Sequence, residues 1–457
     1  MSITDHTDSA LSWRTRWGYG AGSVATGAFG TVPGLMLLPY LTDRLGTATL
    51  LAGAIVLLPK GLDVLLNPVA GRISDRTIDP RGPRRPWLLR GGLVLVLGFA
   101  LLFAAPKMPL PAELAWVLVF FVATATGYAF FQVPFLSMPA EITASYQERT
   151  RLMTLRVAIM AGTILVAGGV SPIIRDGLGD AYFGRLGYMV MGLVMAAIML
   201  VGVLTVYHGT RNAPIHAVTA GSGGLLDQLR IVAGAPNFRR LLTTFVIQAL
   251  ATGTMLAGVN YMAGNILPKS AGTFLFVCFV APAILLSSVW ERIGARFGKT
   301  VSFTASSLIL AAGALGTITA LAGASAIGVV YAFTALAGVG YAGCQMFPIA
   351  MLPDIAAVDA KRTGSSRIGV YTGVWSAGET LGLAFGPGLY SVVLWLGHYI
   401  SSTTGGTTQP QSALTAIILG FGLVPAVLIV ISLWWLRHYN LTAEAVAEAT
   451  ITEKESE

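Results

Sequence analysis

The sequence predicts an all-α membrane protein with twelve spanning helices in two related halves of six. Of its 457 residues, 54% are hydrophobic and only 11% are charged, whereas soluble domains carry about 25% charged residues. Long runs such as 91–105 contain no acidic or basic residue. Backbone in lipid must be hydrogen-bonded internally, and these runs lack the alternating pattern of barrel strands, so we predict helices.

The apolar runs number twelve, and each is long enough to cross the hydrocarbon layer. They lie near residues 17–41, 48–71, 88–106, 111–139, 153–174, 184–206, 240–264, 270–290, 300–322, 325–352, 367–396 and 412–436. An even number of crossings places both termini on the same side of the membrane.

The basic residues indicate which side that is. With twelve crossings, 23 of the 29 lysines and arginines fall on the face that carries the termini. Positively charged loops stay in the cytoplasm. We therefore expect a multi-pass protein of the inner or plasma membrane with both termini cytoplasmic.

An internal repeat divides the chain in the middle. Arg72-Ile-Ser-Asp-Arg76 follows span two and Arg292-Ile-Gly-Ala-Arg296 follows span eight, 220 residues later. Pro139 and Pro353, each near the end of an equivalent span, are 214 residues apart. Parallel repeats with a binding site between them describe the major facilitator fold.

The repeat predicts five segments. They are a cytoplasmic tail at 1–16, a six-helix bundle at 17–206, a cytoplasmic linker at 207–237, a second six-helix bundle at 238–437 and a cytoplasmic tail at 438–457.

Other classes of protein find little support in the sequence. The net charge of +8 comes from helix ends rather than from one basic face, so we do not expect nucleic-acid binding. Cys278 and Cys344 lie inside apolar runs and suggest neither a metal site nor a disulfide. No nucleotide-binding or nucleophile motif is present, so we expect neither an enzyme nor a bound cofactor.

Charged residues inside the membrane are costly and mark functional sites. Lys60 and Asp63 lie three residues apart on span two, with Asn67 one turn further on the same face, between Pro59 and Pro68. We predict that this polar stripe couples a cation to transport. A self-neutralised pair that only sets helix packing is the alternative.

Glu379, on span eleven, is the other acidic residue well inside a span, and small residues surround it. We assign it to cation coupling, with a protonated structural carboxyl as the alternative. Gln132 on span four and Gln248 and Asn260 on span seven are uncharged candidates for solute binding. Helix packing explains each of these three equally well.

The loops on the face that carries the termini supply candidates for a gate. They could latch the two bundles together in one state of the transport cycle, or they could only fix topology. The candidates are Arg72, Asp75, Arg76, Glu141, Arg149, Arg292, Arg296 and Asp354. Glu141 and Arg156 could form an ion pair across the turn between spans four and five.

Several motifs together resemble a known family. They are Tyr40-Leu-Thr-Asp43, Asp63-Val-Leu-Leu-Asn67-Pro68, Gly71-Arg-Ile-Ser-Asp-Arg76, Arg84-Arg-Pro-Trp87, Val133-Pro134-Phe135, Glu148-Arg-Thr-Arg-Leu152 with Arg156, and Asn237-Phe-Arg-Arg. They look like the glycoside–pentoside–hexuronide:cation symporters of the major facilitator superfamily. The resemblance covers nearly the whole chain.

The resemblance implies roles for individual residues. Asp63 matches the family's cation-binding aspartate, and Arg156 matches an arginine of helix five near the site. Asn67 and Gln132 stand where the sodium-using sugar permeases have further aspartates. Thr380, beside Glu379, stands where they have a lysine. The scaffold and one coupling carboxylate therefore match, while the sugar-recognition set does not.

We therefore predict a cation-coupled symporter of a small organic solute such as a sugar or glycoside, functional as a monomer. The proton is the favoured coupling ion and sodium the alternative. The resemblance leaves Gln132, Asn260, Tyr261 and Trp375 to recognise a sugar. Other readings are a carrier of a lysolipid-like amphiphile, a proton-coupled exporter of drugs or lipids, and a non-transporting receptor or scaffold.

Overall fold

A computed structural model of the protein describes residues 11–143, 145–177, 185–215, 234–267, 271–322, 327–363, 368–403 and 407–441. Fourteen α-helices and one 3-10 helix lie within these ranges. The first half holds α1 (Trp13–Asp43), α2 (Thr49–Asp75), α3 (Arg85–Leu102), α4 (Leu110–Ile142), α5 (Tyr146–Gly177) and α6 (Arg185–Gly209). The second half holds α7 (Pro236–Asn265), α8 (Ala271–Leu285), α9 (Ser287–Phe297), α10 (Lys299–Gly316), the 3-10 helix (Thr317–Ala322), α11 (Ile327–Thr363), α12 (Ile368–Leu396), α13 (Gln411–Phe421) and α14 (Leu423–Leu436).

The prediction of an all-helical membrane protein is confirmed. Among the described residues, ten helical segments are long and apolar enough to cross a membrane, and the bent pair of α8 and α9 makes eleven. The remaining predicted span coincides with α2, which is 27 residues long. The side chains of Lys60 and Asp63, near its middle, lie outside the described part of the chain, and Thr49–Pro59 is its apolar portion.

Two spans are broken into shorter helices. α8 and α9 meet at Leu286 with a bend of 49°. Pro282 lies one turn before this break, and a proline removes one backbone hydrogen bond and clashes with the preceding turn. α13 and α14 meet at Gly422, and Pro425 has no N–H to donate to the carbonyl at the end of α13.

The helices define two faces of the bundle. We call the face where α1 begins and α14 ends the terminal face, and the opposite one the far face. The two halves touch through α1 with α7, α2 with α12, and α5 with α8. Within the halves, α3 packs on α4 and α6, and α10 packs on α11 and α14, so α3 and α10 lie away from the junction.

Glycines let neighbouring helices approach until their backbones touch. A Cβ built on Gly18 of α1 would lie 2.6 Å from the Cα of Gly209 of α6. A Cβ built on Gly386 of α12 would overlap the backbone of Gly253 of α7. Small residues at helix crossings are the usual means of close packing in membranes, where no water is available to drive association.

We expect Gly386→Ala to lower the melting temperature of the purified protein, because the added methyl group must push α7 and α12 apart. Overpacking of this kind costs about 1–3 kcal/mol. The matched control is Gly373→Ala on the same helix, where a built Cβ meets nothing within 4 Å. Equal melting temperatures for the two variants, measured in the same detergent, would contradict the close crossing at Gly386.

Candidate functional site

Glu379 of α12 lies at the centre of a polar site between the two halves. Its carboxylate shares a hydrogen bond with Gln345 of α11, and Arg156 of α5 acts on it electrostatically from the other half. At 1.5 Å per residue from the terminal-face ends of their helices, Arg156, Glu379 and Gln132 all lie about 15 Å deep. The site therefore brings together opposite charges that the sequence places more than two hundred residues apart.

Aromatic rings flank these charges in both halves. The guanidinium of Arg156 lies 5.9 Å from the ring centroid of Phe135, which in turn stacks on Tyr19 of α1 at 4.7 Å. In the second half, Trp375 stacks on Phe245 of α7 with centroids 4.3 Å apart. Packed rings of this kind fix the positions of the polar groups between them.

Several buried polar atoms of the site have no hydrogen-bond partner among the described residues. They are the acceptor oxygens of Asn67 and Gln132 and the donor nitrogens Nε of Arg156 and Nε1 of Trp375. An unpaired buried donor or acceptor is costly, so it marks a place for a ligand or water. Donors and acceptors together complement hydroxyl groups, which both donate and accept.

The backbone of α2 carries the predicted stripe of Lys60, Asp63 and Asn67 at a comparable depth. Asn67 is half-buried. The side chains of Lys60 and Asp63 lie outside the described part of the chain. Thr380, the neighbour of Glu379, is half-buried on α12.

Gln248 faces away from this site. It is buried, and its Nε2 donates to Ser307 Oγ of α10 at 2.9 Å and to Ser432 Oγ of α14 at 3.1 Å. It therefore crosslinks three helices of the second half, as in the helix-packing alternative. Its position in the sequence does not show whether its side chain lies on the side of α7 that faces the polar site or on the opposite side.

Asn260 and Tyr261 lie nearer the far face, where they join the two halves. Asn260 Nδ2 donates to the carbonyl oxygen of Leu35 at 2.6 Å, and its Oδ1 accepts from Arg175 at 2.8 Å. The hydroxyl of Tyr261 lies 2.7 Å from that of Thr42. In this structure both side chains hold the halves together rather than face the polar site.

Further hydrogen bonds close the same face. Tyr399 donates its hydroxyl hydrogen to the carboxylate of Asp43 at 2.8 Å, and Ser402 N donates to the carbonyl of Thr42 at 2.8 Å. Ser401 Oγ donates to the carbonyl of Thr47 at 2.7 Å. We call this set of contacts, with Asn260, Tyr261 and Arg175, the far-face closure. Sequence reasoning missed its role, because the residues that pair in it come from segments far apart in the chain.

The predicted gating residues at the terminal face form contacts within one half each, so far as their partners are described. Arg84 lies 2.7 Å from Asp75 and 3.4 Å from Glu141, all in the first half. Lys299 pairs with Asp354 at 2.6 Å in the second half. Arg149 Nε donates to the carbonyl of its neighbour Thr143 at 2.9 Å.

The suggested ion pair between Glu141 and Arg156 does not form, because Arg84 reaches Glu141 instead. Burial raises the pKa of Glu141, although Arg84 and Arg85 oppose this shift. Arg72, Arg76, Arg292 and Arg296 are exposed. Among the described residues, the hydrogen bonds that join the two halves therefore lie at the far face, and the ion pairs at the terminal face stay within one half each.

Comparison with known proteins agrees with this architecture. The family model described as MFS/sugar transport protein matches residues 18–443. The inner membrane symporter YicJ of Escherichia coli (strain K12) is 25% identical, over 94% of this chain and 93% of the relative. The glucuronide carrier protein homolog of the same organism is 23% identical, over 96% of this chain and 95% of the relative.

A solved structure has the same fold. It is a bacterial homologue of the human lysosomal transporter Spinster, in an inward-facing and unoccupied conformation. The TM-score is 0.66 at 14% sequence identity, and the match covers 95% of this chain and 97% of that one. From the family match and this shared architecture, the chain is a multi-pass membrane transporter, not an enzyme, and it belongs to the MFS/sugar transport family of cation and glycoside symporters within the major facilitator superfamily.

Proposed function

We propose that this protein couples the entry of protons to the transport of a sugar or glycoside by alternating access. The observation that carries the proposal is that Glu379 and Arg156, from opposite halves, lie close enough to interact electrostatically, while hydrogen bonds join the two halves on the far-face side of them. A carrier whose two halves share one polar site can expose that site to either side by rocking.

We further propose that the terminal face is cytoplasmic. When the chain crosses twelve times and Arg156 is left out as part of the polar site, 22 of the 29 basic residues fall there. The structure then corresponds to an inward-facing state of a monomeric carrier in the cell inner membrane. The terminal-face residues Arg72, Asp75, Arg76, Glu141, Arg149, Arg292, Arg296 and Asp354 would form contacts between halves only in the outward-facing state.

The chemistry of the site favours a hydroxylated solute. The unpaired oxygens of Asn67 and Gln132 accept hydrogen bonds, and Arg156 and Trp375 donate them. Trp375 is buried and its ring stacks on Phe245, so the group that it offers to a solute is the Nε1–H rather than a ring face. The family description and the relative named as a glucuronide carrier homolog support a sugar or a glycoside.

The distribution of carboxylates favours the proton. Sodium needs several oxygens and a local negative charge, and Asn67 and Gln132 supply oxygens without charge. A proton needs one carboxyl group whose surroundings alternate between water and apolar protein. Glu379 and Asp63 are the residues proposed for this task. Arg156 acts electrostatically on Glu379, and Lys60 lies three residues before Asp63 in the sequence.

Two imposed gradients distinguish the coupling ions. Proteoliposomes are loaded so that uptake of labelled glycosides is driven either by a pH gradient without sodium or by a sodium gradient without a pH difference. We expect accumulation only with the pH gradient. Accumulation only with the sodium gradient would overturn the proton assignment, and no movement of any solute with either gradient would indicate a receptor or scaffold.

Asp63→Asn is expected to abolish accumulation driven by the pH gradient while the protein still inserts and folds. The substitution keeps the size of the side chain and removes its ability to carry a proton. The measurement compares uptake at matched amounts of protein, with size-exclusion chromatography to confirm folding. Unchanged accumulation by this variant would exclude Asp63 from coupling.

A further inference from the structure

A groove runs along the outer surface of the first half at the terminal face. Its volume is about 790 Å³, and it lies between the beginning of α1, the end of α6 and α5. Gly18 and Gly209 touch at its floor, where a Cβ on Gly18 would lie 2.6 Å from the Cα of Gly209. Because neither residue has a side chain, the crossing leaves a trough rather than a filled surface.

Tryptophan side chains form one wall of the groove. Trp13 and Trp17 lie one helical turn apart with ring centroids 5.6 Å apart, and they are 69% and 45% exposed. Exposed tryptophans concentrate at the boundary between hydrocarbon and headgroups. The groove therefore opens at headgroup level, and its apolar lining by Val24, Ile159 and Leu204 continues toward the middle of the membrane.

An unmatched positive charge lies at the mouth of the groove. Arg14 lines it and is exposed, with no ion pair to any described residue. Arg16, two positions further on, is held instead by Glu148, whose carboxylate accepts bonds of 3.0 and 2.8 Å from it. Within the described part of the chain, Arg14 is thus the arginine of this helix end without an acidic partner.

We propose that this groove binds an anionic phospholipid. Its phosphate would meet Arg14, the tryptophans would lie beside its glycerol region, and one acyl chain would follow the apolar lining. A phosphatidylglycerol headgroup fits better than a zwitterionic phosphatidylcholine headgroup, because it carries no ammonium group to compete with Arg14 for the phosphate. Each basic residue near a membrane surface raises the affinity for anionic lipids about fivefold.

The test is native mass spectrometry of the delipidated full chain. The protein is mixed with equal amounts of phosphatidylglycerol and phosphatidylcholine that carry identical acyl chains. We expect the wild type to retain phosphatidylglycerol preferentially and Arg14→Gln to reduce this preference about fivefold. The control is Arg437→Gln, since Arg437 also lies beside a terminal-face tryptophan, 5.1 Å from the ring centroid of Trp434.

A second variant, Trp13→Ala, keeps the charge and removes one wall, and we expect it to lower retention of both lipids. Equal losses in the Arg14→Gln and Arg437→Gln variants would overturn the proposal, because they would show selection by the overall charge of the face. A protein dimer that forms in place of the lipid-bound monomer would also overturn it, by showing that a second copy of the chain occupies the groove.

Discussion

Glu379→Gln is expected to reduce accumulation under a pH gradient to near the level of simple equilibration. With one proton per solute, a gradient of one pH unit supports about tenfold accumulation, whereas an uncoupled carrier supports about onefold. A glutamine side chain can still form the hydrogen bond to Gln345, but it cannot release a proton. It also removes the negative charge that interacts with Arg156. We therefore expect loss of coupling with some exchange of solute retained.

Two assays in proteoliposomes are compared. One measures uptake under the pH gradient, and the other measures exchange of labelled for unlabelled solute in the absence of any gradient. Glu291→Gln is the matched control, because Glu291 is exposed on α9 and remote from the polar site. Glu141→Gln should reduce uptake less than Glu379→Gln, since Glu141 lies beside Arg84 at the end of α4 on the terminal face. Equal initial rates for the Glu141 and Glu379 variants would count against a coupling site on α12.

Asn260→Ala is expected to weaken the far-face closure and shift the carrier toward the state that is open at the far face. The substitution removes the hydrogen bonds of Asn260 to Leu35 and to Arg175, both of which join the two halves. One neutral and one charge-assisted hydrogen bond together contribute about 2–4 kcal/mol. A difference of this size changes a two-state equilibrium by a factor on the order of 100.

The shift can be followed by the reactivity of a single cysteine. Gly388→Cys, in a background without Cys278 and Cys344, places a cysteine at the junction of α2 and α12, where a Cβ built on Gly388 lies 3.9 Å from Leu57. We expect a membrane-impermeant reagent added at the far face to label it much faster in the Asn260→Ala variant. Asn237→Ala is the control, because Asn237 is on the same helix at the terminal face and bonds within its own half.

The same experiment separates the two roles considered for Asn260. If Asn260 binds the solute, its replacement weakens solute binding while the labelling rate stays unchanged. If it belongs to the far-face closure, the labelling rate rises, and solute binding changes only through the conformational shift. Unchanged labelling would therefore refute the role assigned from the structure.

The sequence by itself determined the helical membrane architecture, the asymmetry of basic residues and the polar positions within the spans. These properties depend on local composition and on charge, which each segment carries regardless of its neighbours. Glu379 stood out for this reason, since a carboxyl group in the middle of an apolar run is conspicuous before any partner is known.

The tertiary structure decided which polar residues meet. Gln248, Asn260 and Tyr261 look alike as polar positions on one helix, yet Gln248 bonds to outer helices and the other two cross to the first half. The partner of Glu141 proved to be Arg84 rather than Arg156. Such pairings depend on how each helix is rotated and on how the two halves are tilted. In a rocking carrier the same sequence adopts two conformations that differ in the tilt of the halves. The sequence alone therefore cannot specify which face is closed.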